Sequence, residues 1–278
     1  MTVIAVTGAS GAVGGLVARA LSDDFRTDLR LLVRDPARAP DIDTDVRVCD
    51  YADLAAARSA LRGVDTLFLV SASESADRRQ QHRTVVGAAA EAGVRYVVYT
   101  SFAGAAPDAT FTLGRDHADT EAALRRSGMG FTFLRDNFYA DVLPFFADDR
   151  GVIRGPAGEG RVAPVARADV ADCAAAVLRS PGDHAGATYT LTGPEALTLA
   201  EVAARAGTVL GRDLRFEDET EEAAYAWRRE RYGAEQWQLD AWVSTYTAIR
   251  DGAVADVTDH VGRLAGHPPR TLEQALAG

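Results

Sequence analysis

Near its start the chain reads Val6-Thr7-Gly8-Ala9-Ser10-Gly11-Ala12-Val13-Gly14-Gly15, directly after the apolar run Val3-Ile4-Ala5-Val6. A short strand, a glycine-rich turn and a helix in that order can cradle a phosphate. Gly8 permits the tight bend, Gly11 lets the backbone approach a pyrophosphate with no Cβ in the way, and Gly14 lets the helix pack close to the sheet. The free N–H groups of the first helical turn then face the phosphates. The spacing, Gly-x-x-Gly-x-x-Gly, is one residue wider than the Gly-x-Gly-x-x-Gly form, and the bland alternative is a turn with no ligand. The second apolar run ends in Val33-Arg34-Asp35-Pro36. An acidic residue at that place usually holds the ribose 2′-OH of NAD, whereas an arginine accommodates the 2′-phosphate of NADP. Arg34, with its planar fork of donors and permanent charge, therefore favours NADP(H). Arg38 is a candidate second contact, and Asp35 is a complication if its carboxylate turns toward the ribose.

Two further strand ends carry polar groups. Asp50, in Cys49-Asp50-Tyr51, either accepts from the adenine amino group or merely starts the next helix. Ser71-Ala72-Ser73 offers small residues across which sugar and pyrophosphate can lie, although Ser73 could equally cap a helix. For proton chemistry the sequence offers His117, in Gly114-Arg115-Asp116-His117-Ala118-Asp119-Thr120-Glu121. An imidazole titrates near working pH and can bind a ribose hydroxyl or donate a proton. Glu121, one turn later on the same face, is placed to orient the ring, the alternative being an exposed helix pair. His82 is expected to pack or cap rather than react. The thirty cationic side chains are all arginine. No lysine Schiff base, phosphate-loop lysine or Tyr-x-x-x-Lys pair can therefore exist here.

The elements that must position these groups follow from periodicity. Apolar runs at 3–6, 29–33, 46–49, 66–70, 94–99 and 131–134 alternate with amphipathic stretches at 13–22, 53–61, 77–91 and 116–126. That rhythm predicts an α/β fold, a doubly wound parallel sheet with helices on both faces, whose ligands lie beyond the carboxyl ends of the strands. After Asn137 the rhythm changes. Residues 151–160 look loop-like, 162–165 like a short strand, 167–179 helical, 188–191 a strand, with a helix from about Thr198 and a helical period over 217–250. The expected division is a nucleotide domain over 1–150 and a smaller, mainly helical substrate lobe over 151–278, packed on it and not an independent module. The aromatic-rich segment Asn137-Phe138-Tyr139 and Leu143-Pro144-Phe145-Phe146 falls just past the sixth strand. It could wall a flat, apolar acceptor site, closed by Trp237 and Trp242, against the alternative of ordinary core packing.

Composition narrows the classes. The net charge of −10 argues against a nucleic-acid partner. No run is long enough to span a membrane, and no secretory signal opens the chain, so a cytoplasmic protein is expected. Two cysteines, Cys49 and Cys173, without metal-type spacing, argue against a disulfide framework and a structural zinc site.

Several stretches together resemble the NmrA-like atypical short-chain dehydrogenases, and within them the bacterial NADPH:quinone oxidoreductase subgroup. They are Thr7-Gly8-Ala9-Ser10-Gly11 with Gly14, Val33-Arg34-Asp35-Pro36, Gln81-His82-Arg83, Tyr99-Thr100-Ser101, His117 with Thr120-Glu121, Leu134-Arg135-Asp136-Asn137, Arg167-Ala168-Asp169-Val170-Ala171 and Leu264 to Leu272. The resemblance implies NADPH held by Gly8, by Ser10, Gly11, Ala12, Val13 and Gly14, and by Arg34. It implies further contacts from Ser71, Ala72, Ser73, Thr100, Ser101, Asn137 and Phe138. A quinone-type acceptor would bind between the sheet's carboxyl edge and the second lobe. Its expected wall is Tyr139, Phe145 and Trp237. Hydride transfer to such an acceptor makes modest demands on acid catalysis, so a missing Tyr–Lys pair weakens carbonyl reduction more than quinone reduction. Two other readings stay open: a dinucleotide-binding redox sensor without turnover, and a reductase of one specialised metabolite. A homodimer is suggested by analogy.

Overall fold

A computed structural model describes residues 2–22 and 27–278. The first part alternates β1 (Thr2–Thr7), α1 (Ala12–Ser22), β2 (Thr27–Val33), β3 (Asp45–Val48), α2 (Leu54–Ala60), β4 (Thr66–Leu69), α3 (Arg78–Ala92), β5 (Tyr96–Phe102), α4 (Thr112–Arg126) and β6 (Gly130–Asp136). There follow β7 (Val152–Gly155), β8 (Arg161–Val162), α5 (Arg167–Arg179), β9 (Thr188–Leu191), β10 (Leu197–Thr198), α6 (Leu199–Leu210) and β11 (Arg215–Asp218). Four helices close the chain: α7 (Glu221–Tyr232), α8 (Gln236–Arg250), α9 (His260–Ala265) and α10 (Leu272–Ala277).

Seven strands form one sheet in the order β3-β2-β1-β4-β5-β6-β9. The pairs among β1 to β5 are parallel. Beyond β5 the bonds from Gly130 N to the Arg95 carbonyl and from Phe133 N to the Ala187 carbonyl continue the sheet. Every residue of β4 and β5 is buried, as strands covered on both faces require. The order reverses between β1 and β4, the switch point at which ligands of open parallel sheets bind.

The chain divides into two compact units. One comprises Met1–Ser101, Asp116–Arg135 and Val170–Tyr189; the other Phe102–Arg115, Asp136–Asp169 and Thr190–Gly278. The first has an apolar core built on Leu32, Leu67, Leu69, Val97, Tyr99, Leu124 and Phe133. The second is centred on Phe102, Phe111, Phe138, Ile153, Val202, Tyr246 and Ile249.

Three expectations need correction. α4 begins four residues before Asp116: Phe111 is anchored in an aromatic cluster, and Gly114 lies so close to Ala109 that a Cβ would come within 3.2 Å. Residues 152–155 are a strand, not loop, because Val152 and Ile153 are buried and pair in parallel with Arg215 and Phe216 of β11. The stretch 217–250 accordingly holds the end of a strand and two helices, parted at Gly233 in a left-handed conformation. α6 starts where expected, Thr198 and Glu201 capping it reciprocally. Cys49 and Cys173 are both buried thiols outside any disulfide, and burial pushes the Cys49 thiol up to about 12, which makes it inert. Among the described residues no helix is long and apolar enough to cross a membrane.

Candidate cofactor and active site

The cradle at the end of β1 is built from tight backbone packing. Thr7 Oγ1 donates to the Phe68 carbonyl and accepts from Val70 N at 2.8 Å, tying the end of β1 to that of β4. Gly8 turns the chain at φ +58, and Gly11 N closes the turn on the Gly8 carbonyl at 2.8 Å. A Cβ on Gly14 would lie 2.3 Å from the Gly8 carbonyl oxygen, so α1 can sit on the strand end only with glycine there. The amides of Ala12, Val13 and Gly14 open the helix and have no carbonyl behind them within it. Ser10, Gly11 and Ala12 are exposed, while Val13 is buried. An open row of amides at a helix N-terminus, held by glycines that leave no side chain in the way, fits a pyrophosphate.

Arg34 stands exposed at the end of β2. The Asp35 carboxylate accepts from Ala37 N at 3.0 Å and caps the short 3-10 helix Pro36–Arg38, so one of its oxygens is turned to its own backbone. Asp50 accepts from Ala52 N at 2.9 Å. It does not start α2; Asp53 does, accepting from Ala56 N. The Tyr51 hydroxyl donates to the Val70 carbonyl at 2.7 Å.

The peptides after β4 are fixed from beneath. Ser71 N donates to Thr100 Oγ1 and Ala72 N to His82 Nε2, each at 2.8 Å, while Arg78 Nε donates to the Ala72 carbonyl at 2.9 Å. Ser73 caps nothing: α3 begins at Arg78. Because His82 Nε2 accepts, its proton sits on Nδ1 and is given to Thr120 Oγ1 at 2.7 Å; Thr120 in turn donates to the Asp116 carbonyl. Burial, with the Arg78 charge nearby, holds His82 down to about 3, so the ring is neutral. His82 is thus a strut for the Ser71–Ser73 segment, as packing was expected to make it.

His117 is buried, not part of an exposed pair. Arg78 Nη2 lies 3.1 Å from its Nε2, and a guanidinium can only donate, so the ring proton is on Nδ1, 2.9 Å from the Tyr99 hydroxyl. Burial first, then the Arg78 charge, drives its pKa well below the usual imidazole value. Tyr99 and Arg78 thus do the orienting expected of Glu121. The Glu121 carboxylate instead accepts from Ser101 Oγ at 2.7 Å, from Arg125, and from Arg135 through both oxygens at 2.8 Å. Arg78 and Asp116 complete this network with an ion pair at 3.4 Å. Sequence reasoning missed Arg78, which sits in a run of polar residues that reads as a solvated face. It also missed Tyr99 and Thr120 as members of a polar network. The available signal was three consecutive hydroxyls, at Tyr99, Thr100 and Ser101, following the apolar run of β5.

In the second unit, Asn137 spends its side chain on the chain itself. Nδ2 donates to the Val254 carbonyl at 2.9 Å and Oδ1 accepts from Phe138 N at 2.8 Å. The Phe138 ring packs on Phe102 and Phe111, with centroids 4.9 and 5.2 Å away. The backbone is engaged too: Asn137 N donates to the Leu191 carbonyl and the Phe138 carbonyl accepts from Val165 N, so the pair is held chiefly by the chain itself. Tyr139 is partly exposed, and its hydroxyl contacts Asp136 Oδ2 at 2.8 Å. Asp136 is 2% exposed, and among the described residues its Oδ1 has no partner. Burial pushes its carboxyl up to about 8. Phe145 is 61% exposed, and Trp237 is half-buried with Nε1 donating to Glu235.

A model of a family described as NAD(P)H-binding matches residues 8–181. The chain is 40% identical to the (4-alkanoyl-5-oxo-2,5-dihydrofuran-3-yl)methyl phosphate reductase of Streptomyces griseus, over 96% of this chain and 94% of that one. It is 34% identical to an NADPH-dependent quinone oxidoreductase of Escherichia coli, solved with NADPH, at a TM-score of 0.87 over 99% and 98% of the two chains. The triphenylmethane reductase of Citrobacter sp., solved with NADP(H), matches at 30% identity and a TM-score of 0.84 over 99% of each chain.

Proposed function

This chain belongs to the NAD(P)H-binding family, and on that premise we propose that it is an NADPH-dependent reductase of quinones and related conjugated carbonyl compounds. The observation that carries the cofactor choice is Arg34, exposed at the end of β2 beside an Asp35 already spent on a cap. In this reading Gly8, Ser10 and the amides of Gly11 to Gly14 hold the pyrophosphate. Arg34 takes the 2′-phosphate and Asp50 the adenine edge. Ser71, Ala72 and Ser73 lie along the sugar, with Thr100 and Ser101 behind them, and Asn137 and Phe138 are assigned to border the cofactor. The cofactor supplies the hydride; the protein orients it and excludes water. His117, neutral and bonded to Tyr99 and Arg78, acts as a positioning group rather than an acid. Tyr139, Phe145 and Trp237 are assigned to the acceptor.

Support for the acceptor class comes from two relatives. A quinone and a 4-alkanoyl-5-oxo-2,5-dihydrofuran both present an electron-poor carbon conjugated to a carbonyl. The higher identity to the second favours, as a narrower reading, one specialised conjugated lactone. The deciding experiment follows NADPH oxidation by the purified protein with simple quinones and with an alkanoyl butenolide, beside NADH and Arg34→Ala. Saturable, NADPH-selective turnover lost in Arg34→Ala supports the assignment. Equal rates with NADH remove the role of Arg34, and NADPH bound without turnover of any acceptor points to a sensor. The same reading places the protein in the cytoplasm as a homodimer without a nucleic-acid partner, the assembly being checked by light scattering.

A further inference from the structure

The reduction proposed above leaves a proton to be found. Hydride brings both electrons to the acceptor, whose oxygen then carries a negative charge and needs one H⁺. His117 does not offer one, since its single N–H is directed at Tyr99 and its other nitrogen receives Arg78. No Tyr-x-x-x-Lys pair exists in a chain without lysine.

A second acid stands at the carboxyl end of β6, the end of the sheet where ligands of such folds bind. Asp136 is buried, its Oδ2 contacts only the Tyr139 hydroxyl at 2.8 Å, and Oδ1 is unpartnered among the described residues. No cation among the described residues neutralises it, and an isolated carboxylate is expensive to bury, so the group keeps its proton. Tyr139 is the partly exposed member of the pair, so it stands between the buried carboxyl and the surface. We propose that Asp136 and Tyr139 form the proton-donating couple of this reductase, an inference that rests on the function assigned above. The Tyr139 O–H bond breaks as the new O–H bond forms on the reduced acceptor. The phenol, which donates to Asp136 Oδ2 at rest, turns its hydrogen to the acceptor; its oxygen then takes the proton of the Asp136 carboxyl, which is refilled from solvent before the next turnover. The transfers are coupled, because burial and Asp136 both hold the Tyr139 phenolate out of reach. The charged groups facing Tyr139 are Arg167 and Asp141, ion-paired to each other; Asp136 is faced by Tyr139. Asp136 is protonated below its raised value of about 8, so the couple is loaded at neutral pH and empties above it.

The test compares wild type, Tyr139→Phe and Asp136→Asn for NADPH affinity, kcat, the pH dependence of kcat and the solvent isotope effect. Infrared spectra of protein carrying ¹³C-aspartate are recorded alongside. Expected in Tyr139→Phe is a fall in kcat on the order of 100-fold, as for loss of a general acid. NADPH affinity should stay within about twofold and the solvent isotope effect should disappear. Asp136→Asn should lose the alkaline limb that wild-type kcat shows near pH 8. The wild-type infrared spectrum should carry a buried carboxylic-acid band at pH 7 that fades through that limb and is absent in Asp136→Asn. If Asp136→Asn does not fold, the wild-type band and Tyr139→Phe carry the test. An ionised Asp136 at pH 7, or variants that match wild type in kcat and isotope effect while wild type turns over, overturns the couple. Wild type that binds NADPH and reduces no acceptor overturns the parent reading, and the couple with it.

Discussion

Asp136 is a residue whose chemistry comes from what it lacks. A carboxyl with one hydroxyl neighbour and no cation keeps its proton in the folded chain and loses it in the unfolded one at ordinary pH. The native state therefore binds the extra proton between the ordinary carboxylate range and about 8, and stability falls as pH rises through that window. Relative to Asp136→Asn, wild type should lose on the order of 4 kcal/mol between pH 4 and pH 8, measured by urea unfolding at each pH. This property was not legible in the sequence, where Leu134-Arg135-Asp136-Asn137 reads as one polar strand end. Which of three adjacent polar side chains is buried, and beside what, depends on distant chain. Arg135 goes to Glu121, Asn137 to Val254, and Asp136 to Tyr139. Arg34 was legible because its role rests on a local strand end and its own charge. For NADPH over NADH, Arg34→Ala should reduce the affinity ratio by roughly 10- to 100-fold, the worth of a charge-assisted contact, measured by fluorescence titration of both cofactors.

Among elements, the join of β1 to α1 is the one whose sequence and geometry agree most closely. Gly14 is there for contact, not for backbone freedom: its Cβ would drive into the Gly8 carbonyl at 2.3 Å. Gly14→Ala should displace α1 and cost about 1–3 kcal/mol of stability, as overpacking does. NADPH affinity should fall at least as far as in Arg34→Ala, seen in the same titration. The segment after β4 depends on a second element, α3, through His82. His82→Ala leaves the half-buried Ala72 amide without its acceptor and should destabilise the protein by about 1–3 kcal/mol while weakening NADPH binding. Strand and helix order through β6 was readable because period-2 and period-3.6 patterns alternate cleanly there. β7 and β11 were not, because each is four residues long and finds its partner some sixty positions away. The early start of α4 was hidden for the opposite reason: Thr112 and Gly114 are poor helix formers, and packing around Phe111 overrides them.

At the scale of the whole molecule, two buried neutral imidazoles set the acid limit. His82 and His117 both titrate below their unfolded values, His82 near 3, so the unfolded chain binds more protons as pH falls below about 6.5. The contribution of these two rings should be complete above that pH and decline toward pH 3, opposing the gain from Asp136 over the same range. The decline in wild type should be steeper than in His82→Gln, measured by thermal unfolding across that range. The sheet order has a consequence for synthesis. β6 takes its outer neighbour from β9, and the two strands are separated in sequence by more than fifty residues. A nascent chain leaving the ribosome therefore carries β6 as a bare edge, open to pairing with any other extended polypeptide, until β9 has been translated. During that interval, shielding by a holdase chaperone, or a slower pace of elongation only after β9 has emerged, would decide how much product reaches the native state.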